Sequence, residues 1–198
     1  MSSRHDVGWD RIYHHPENLP WELGQPRNVL MKLVESRRLV PGKTLDVCCG
    51  VGTNTVYLAK NGFEVSTLDI SDEAIRFAKE KAANADVEIG FLVGDFVNLP
   101  FRSELFDFVF DFGCFHHVQL NERASFIKGV QTVLKPNGTY LLVCFSYMNG
   151  EAWNYFTKEE IVKLFEGSFT IEKIKHVSSI EGDGIKRYFY EVLMVRLK

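Results

Sequence analysis

The sequence has no apolar run that approaches the length of a membrane-spanning helix, and its first residues, MSSRHDVGWDR, lack the apolar stretch of a signal peptide. It also has no arm or stripe of lysine and arginine, and its formal net charge is −3. A field of that sign does not favour the phosphates of nucleic acids. These absences predict a cytoplasmic protein that binds neither membranes nor nucleic acids.

Cysteine is scarce, and its spacing is unsuited to metal binding. The four cysteines are Cys48, Cys49, Cys114 and Cys144, and the pattern C-x-x-C does not occur. Three of them lie in apolar, strand-like runs, which is typical of reduced and buried thiols. We therefore expect no disulfide framework and no zinc or other metal site.

Neither an internal repeat nor a linker-like stretch divides the 198 residues, so the sequence predicts a single domain. After residue 40, short β-rich segments alternate with helix-like segments, and the turn EGDG joins the last two β-rich segments. This order predicts an α/β fold with a mostly parallel sheet, helices on both faces and a terminal antiparallel hairpin. We expect residues 1–40 to form a helical cover and residues 41–198 to form the core.

Local signals place the elements along the chain. The predicted strands before the hairpin cover residues 43–48, 63–70, 87–95, 106–112 and 139–147. The run FDFVFDF in the fourth of these is nearly continuous in apolar residues, as a strand buried on both faces should be. Ser71 is predicted to cap a helix, and Thr157 with Glu160 to form a capping box.

A loop poor in side chains, CCGVGTNT, follows the first predicted strand. Gly50 and Gly52 allow positive φ and let a ligand approach the backbone, although such a pair can equally serve a tight turn. A dinucleotide site requires a third glycine, and this chain has Thr55 at that position. The loop therefore disfavours NAD(P) and leaves other nucleoside-containing cofactors open.

Two acidic residues narrow the choice of cofactor. Asp69 ends the second predicted strand, where a carboxylate can accept hydrogen bonds from ribose hydroxyls. Asp46 lies in the first strand, where a carboxylate repels pyrophosphate and suits an ammonium group. The cofactor that joins adenine and ribose to a charged amino-acid part without phosphate is S-adenosylmethionine.

With these residues in view, the sequence resembles the class I S-adenosylmethionine-dependent methyltransferases. LDVCCGVGTNT resembles their first motif, FDFVFDFGCFHH their fourth-strand motif, and LKPNGTYLLV their turn into the fifth strand. The resemblance implies a Rossmann-like, doubly wound sheet of seven strands whose last strand is antiparallel. The N-terminal stretch IYHHPENLPWELGQP is similar to a segment of the thiopurine-methyltransferase-like branch, which implies that Trp21 belongs to a lid over the cofactor.

The resemblance also implies a set of cofactor contacts on the loop and at the strand ends. These residues are Asp46, Cys48, Gly50, Gly52, Asn54, Asp69, Ile70, Asp95, Phe96, Asp111, Phe112 and Trp21. Phe112 stands where the thiopurine branch often carries arginine, which counts against a thiopurine-type or anionic substrate. The stretch DFGC differs from the Pro-Pro-aromatic run of enzymes that methylate amino groups of DNA bases.

Residues on the substrate side are expected to follow the fourth and fifth strands. His116 and His117 could act as general bases, or the site could work by positioning alone, because a sulfonium methyl group is already activated. The aromatic residues predicted to line the substrate pocket are Phe115, Phe145, Tyr147 and Trp153.

The sequence thus predicts a methyltransferase that transfers a methyl group from S-adenosylmethionine to a small molecule by direct SN2 displacement. We expect a monomer or a weak homodimer. The alternative is a catalytically idle S-adenosylmethionine-binding module that acts through a protein partner. An NAD(P)-dependent reductase is a third, disfavoured interpretation.

Overall fold

The computed structural model describes residues 8–150 and 154–198. Within them, seven strands form one sheet: β1 (Lys43–Val47), β2 (Glu64–Asp69), β3 (Gly90–Val93), β4 (Phe106–Phe112), β5 (Leu134–Phe145), β6 (Phe169–Ile180) and β7 (Lys186–Arg196). Their order is β3-β2-β1-β4-β5-β7-β6. Strands β1 to β5 are mutually parallel, and β7 is antiparallel to both β5 and β6. The predicted sheet is confirmed.

Helices cover both faces of this sheet, as predicted. They are α1 (Trp9–Tyr13), α2 (Asn28–Glu35), α3 (Thr53–Lys60), α4 (Asp72–Asn84), α5 (Arg123–Val133) and α6 (Lys158–Phe165). Strand β4 separates two apolar clusters, one with Val109 packed among residues of α5 and α6, the other with Phe108 and Phe110 packed against α2 and α3. Among the described residues, no helix combines the length and the apolar character needed to cross a bilayer.

Two strand boundaries differ from the sequence-based expectation. Strand β3 has four residues instead of nine because it lies at the sheet edge, where Leu92 and Val93 are exposed. Strand β5 begins directly after α5, and its pairing with β4 shifts register between Phe106 and Phe108. That irregularity places the KPNG segment inside β5. The predicted caps are confirmed, since Ser71 Oγ accepts from the N–H of Ala74 at 3.1 Å and the capping box of α6 is complete.

In the N-terminal cover (residues 8–40), the part before α2 lies at the carboxyl ends of the strands, and α2 packs on one face of the sheet. Tyr13 of α1 packs against Val51 of the glycine loop and Ala74 of α4. Farther along the cover, the carbonyl of Pro20 accepts a 2.7 Å hydrogen bond from the N–H of Gly182 in the β6–β7 turn. The cover is therefore held at both the glycine loop and the terminal hairpin.

One expectation about the cysteines is wrong. Cys48 and Cys114 are paired as a disulfide, with 5.7 Å between their Cα atoms. The residues are 66 positions apart in sequence, and they meet because β1 and β4 are neighbouring parallel strands that end at the same edge. Cys49 and Cys144 are free and buried, as predicted.

Candidate active site

A cavity of about 550 Å³ opens at the carboxyl ends of β1, β2 and β4, beneath the cover. Open α/β sheets bind their ligands at this edge, near the point where the strand order reverses. The sequence-predicted residues that line it are Trp21, Asp46, Cys48, Gly50, Asn54, Asp69, Ile70, Phe96, Phe112, His116, His117 and Phe145. The fold thus gathers most of the candidate site into one chamber.

Asp69 and the glycine loop form one end of this chamber. The carboxylate accepts hydrogen bonds from the N–H of Gly50 at 2.9 Å and from the N–H of Ser71 at 3.0 Å. Burial raises the pKa of Asp69 to about 6, and these backbone hydrogen bonds oppose the rise. Gly50 has φ +54°, and an added Cβ would lie 3.1 Å from the hydroxyl of Tyr13. The carboxylate is therefore fixed relative to the glycine loop, and a side chain at Gly50 would crowd the Tyr13 hydroxyl.

Asp46 lies on β1 at the floor of the same chamber and is 2% exposed. Thr55 Oγ1 donates to its carboxylate at 2.5 Å, and no cationic side chain of the described residues pairs with it. Burial raises the pKa of Asp46 to about 7, against the effect of the Thr55 hydrogen bond. A buried carboxylate without a cationic partner suits a positively charged ligand group.

The two histidines also line this chamber, in a short 3₁₀ helix after β4 (Phe115–His117). The ring of His116 stacks on Phe145, with 4.1 Å between centroids, and His117 meets the ring of Trp9 edge-on at 5.1 Å. Burial lowers the pKa of His117 to about 4 and lowers the pKa of His116 well below its ordinary value. Both rings are therefore neutral at pH 7.

Asp111 is a predicted site residue that the structure places outside the cavity lining. Its buried carboxylate accepts hydrogen bonds from the N–H of Cys114 at 2.8 Å and from the hydroxyl of Tyr140 at 3.0 Å. Burial raises the pKa of Asp111 to about 7. The contacts it makes hold the turn that presents the histidines.

Four other predicted residues also lie away from the lining: Gly52, Asp95, Phe115 and Tyr147. Gly52 brings the glycine loop against α4, where an added Cβ would lie 2.9 Å from the Cβ of Ala78. Phe115 is buried and stacks on Phe156, and Tyr147 stacks on His176 at the surface. The predicted pocket residue Trp153 lies outside the described residues.

Sequence reasoning missed an ion pair at the cavity mouth. The guanidinium of Arg27 donates to both carboxylate oxygens of Glu181, at 3.0 and 2.9 Å, and to the carbonyl of Trp21 at 2.6 Å. It also lies 3.8 Å above the ring centroid of Phe112. Glu181 lines the cavity and is 4% exposed. Its position in a hairpin turn, 154 residues from Arg27, carries no signal that could have revealed the pair.

Aromatic residues missed from the sequence complete the walls. They are Trp9, Tyr13 and Phe189, which join Trp21, Phe112 and Phe145 around the chamber. Large aromatic side chains exclude water at low conformational cost. The arrangement is a mostly apolar chamber whose lining includes the buried carboxylates of Asp46 and Asp69 and the neutral imidazoles of His116 and His117.

The known proteins that are similar to this chain are methyltransferases. Residues 44–138 match a protein family described as "Methyltransferase domain". The chain is 30% identical over 135 residues to 2-heptyl-1-hydroxyquinolin-4(1H)-one methyltransferase of Mycobacteroides abscessus, covering 66% of this chain and 59% of that protein. It is 31% identical over 148 residues to probable thiol methyltransferase 2 of Arabidopsis thaliana, covering 73% of this chain and 64% of that protein. The chain thus spans about three fifths of the length of these relatives.

A solved structure shares the fold across the whole chain. It is the 1,6-didemethyltoxoflavin-N1-methyltransferase of Burkholderia thailandensis, with bound 1,6-didemethyltoxoflavin and S-adenosylhomocysteine. The TM-score is 0.80 at 16% sequence identity, and the match covers 100% of this chain and 92% of that one. At that identity the likeness concerns the fold alone.

Proposed function

Because this chain belongs to the class I methyltransferases, we propose that it transfers a methyl group from S-adenosylmethionine to a small-molecule acceptor by direct SN2 displacement. The observation that carries the proposal is the lining of the cavity. Buried carboxylates and the glycine loop suit the cofactor, and neutral imidazoles with aromatic walls suit an acceptor in the same cavity.

The residues at the carboxylate end fit S-adenosylmethionine in charge and hydrogen bonding. Asp69 would accept hydrogen bonds from the ribose hydroxyls, and Asp46 would attract the ammonium group. Asp95 and Phe96, after β3, would flank the adenine. Gly50 adds no side chain of its own between the backbone and the methionine part. When bound, the cofactor supplies a sulfonium-activated methyl group.

The remaining predicted contacts would complete the cofactor site from several elements. Asn54, Ile70, Cys48 and Phe112 line the same cavity. The Asn54 side chain already accepts a 2.9 Å hydrogen bond from the N–H of Arg27, which ties the cover to the first turn of α3. Gly52 would act indirectly, by seating the loop against α4.

The aromatic walls would exclude water and align the acceptor with the methyl group. Alignment and water exclusion can supply much of the rate of such a displacement. The cavity volume falls within the range of about 300–1,000 Å³ that is typical of small-molecule sites. The names of the relatives, a hydroxyquinolinone methyltransferase and a thiol methyltransferase, also favour a small acceptor.

A transfer assay tests the proposal. Protein and S-adenosylmethionine with a radiolabelled methyl group would be incubated with a panel of small thiols, phenols, amines and halides. We expect label in at least one acceptor and formation of S-adenosylhomocysteine. Binding of S-adenosylhomocysteine without transfer to any acceptor would instead favour the idle binding module. The cytoplasmic location and the monomeric or weakly dimeric state remain predictions.

The Asp46 carboxylate predicts a pH dependence of cofactor binding. Its pKa is raised to about 7, so it is mostly protonated at pH 6 and must lose this proton to pair with the ammonium group. Affinity for S-adenosylhomocysteine should therefore fall about tenfold between pH 8 and pH 6. Calorimetry across this range would measure the slope. Asp46→Asn should bind more weakly at pH 8 and lose most of the slope, and an unchanged slope in this variant would contradict the assignment.

The position of the N-terminal cover predicts that a bound cofactor protects its amides from hydrogen exchange. Trp21 lies at the cavity rim, 37% exposed, with its ring 6.4 Å from that of Trp9. If residues 10–28 close over the cofactor, S-adenosylhomocysteine should slow their amide hydrogen exchange, while α6, which lies away from the cavity, serves as the internal control. Equal exchange of residues 10–28 with and without the ligand would count against a lid.

A further inference from the structure

The hydrogen bonding of His116 determines which of its ring nitrogens carries a proton. The N–H of Phe145, in strand β5, donates to His116 Nδ1 at 3.4 Å in a buried contact. A backbone N–H can donate only to an unprotonated ring nitrogen, so Nδ1 is an acceptor. In a neutral imidazole the single ring proton then lies on Nε2.

The surroundings of the ring leave this Nε2–H group open to the cavity. The stacked ring of Phe145, inclined by only 14°, holds the imidazole plane in place. Gly113, which lines the cavity with His116, has φ +86°, and an added Cβ there would lie 3.5 Å from Cε1 and 3.8 Å from Nε2 of the imidazole. No described residue forms a hydrogen bond with Nε2. Nε2 therefore lies beside Gly113 in the cavity lining, without a hydrogen-bond partner among the described residues.

A ring in this state cannot act as a general base. The lone pair of Nδ1 is engaged by Phe145, and Nε2 already carries hydrogen. Burial and the neighbouring His117 both lower the pKa of His116, which disfavours a second proton on the ring. What His116 offers the cavity is a hydrogen-bond donor in a fixed position.

A fixed donor discriminates between classes of nucleophile. An amine nitrogen has one lone pair, so an amine that accepts the Nε2–H bond can no longer attack a methyl group. Thiolates, phenolates and halides have several lone pairs and can accept the hydrogen bond and attack at once. A thiolate would use one lone pair to form the new S–CH₃ bond, while the electrons of the broken bond stay on the departing sulfur. No proton has to move.

We propose that His116 is a neutral Nε2–H donor that positions the acceptor, and that it selects acceptors whose attacking atom is an anion with several lone pairs, such as a thiolate. The inference rests on the proposed methyltransferase function. Of the two alternatives left open by the sequence, it favours positioning over general-base catalysis for this residue. Phe112, in place of an arginine, led us to expect that the substrate is not an anion. The proposal departs from that expectation, because an imidazole donor can recognise the attacking anion without an arginine.

Two substitutions at one position separate a donor from a base. His116→Gln retains an N–H donor at nearly the position of Nε2, and His116→Phe retains the ring and its stacking without the donor. With benzenethiolate as acceptor, His116→Gln should keep kcat/KM within about threefold, and His116→Phe should lose about 10–100-fold, the usual effect of a hydrogen bond to a charged group. Equal, large losses in both variants would overturn the donor role and favour a base.

His176 offers a matched control for these substitutions. Its ring lies outside the cavity, and its Nε2 forms a 2.7 Å hydrogen bond with Ser146 Oγ. His176→Gln and His176→Phe should show no comparable split in kcat/KM. Affinity for S-adenosylhomocysteine, measured in all four variants, confirms that the cofactor end is intact. Faster transfer to aniline than to benzenethiolate at equal concentrations would overturn the selection of anions.

A spectroscopic readout tests the donor without turnover. In ¹⁵N-histidine-labelled protein, NMR should show His116 as the neutral Nε2–H tautomer between pH 6 and pH 8. Benzenethiolate added to the S-adenosylhomocysteine complex should shift that Nε2–H signal, and phenol, which is neutral at pH 7.5, should shift it less. A neutral Nδ1–H tautomer, or a charged ring, would overturn the donor role of His116 and leave the proposed methyltransferase function standing. Failure to bind S-adenosylhomocysteine would instead overturn the proposed function.

Discussion

Glu181→Ala is expected to lower the free energy of unfolding by about 3–5 kcal/mol, because it leaves the guanidinium of Arg27 buried without its partner. The two side chains are 10% and 1% exposed, so solvent screens the pair little. Denaturant unfolding followed by circular dichroism would measure the change. The double variant Arg27→Met with Glu181→Leu removes both charges and should be more stable than Glu181→Ala alone.

The pair between Arg38 and Glu172 provides the comparison for this prediction. It also joins the N-terminal region to strand β6, but its side chains are 54% and 33% exposed. Exposed pairs contribute at most about 1 kcal/mol, so Glu172→Ala should have a small effect. Similar losses of stability in Glu181→Ala and Glu172→Ala would contradict the view that Arg27 and Glu181 clamp the cover onto the hairpin.

Asp69→Ala should weaken binding of S-adenosylhomocysteine by about 10- to 150-fold. Hydrogen bonds to a charged group contribute about 1.5–3 kcal/mol, and the ribose hydroxyls would lose their charged acceptor. The N–H groups of Gly50 and Ser71 would also lose theirs, so the glycine loop should become less ordered. Calorimetry on the folded variant measures the affinity.

Two further variants show whether that loss belongs to the carboxylate. Asp69→Asn keeps one acceptor oxygen and the size of the side chain, and its loss should be smaller than that of Asp69→Ala. Asp72→Ala removes an acid from the first turn of α4, outside the cavity lining, and should leave the affinity unchanged. An unaltered affinity in Asp69→Ala would contradict the role of Asp69 as the acceptor for the ribose hydroxyls.

The parts of the fold that could be predicted depend on local chemistry. The apolar run of β4, the Ser71 cap and the acid that ends β2 each follow from a few adjacent residues, and each stands where the sequence placed it. The glycine loop likewise follows its strand. Local patterns thus locate the carboxyl edge of the sheet and the acids at it.

What could not be predicted depends on contacts between distant segments. Cys48 meets Cys114 only through the pairing of β1 with β4, and Arg27 meets Glu181 only once the hairpin turn reaches the cover. The 3₁₀ helix determines which side chains of the FHH run line the cavity. It turns Phe115 into the core and the two histidines toward the cavity. Side-chain directions in such a short turn cannot be derived from sequence spacing.

Isothermal titration of the purified chain with S-adenosylhomocysteine, and separately with NADH, tests whether the cavity is an S-adenosylmethionine site. We expect saturable binding of S-adenosylhomocysteine that Asp69→Ala weakens, and no binding of NADH. Binding of NADH, or binding of S-adenosylhomocysteine that is the same in Asp69→Ala as in the unmodified chain, would contradict it.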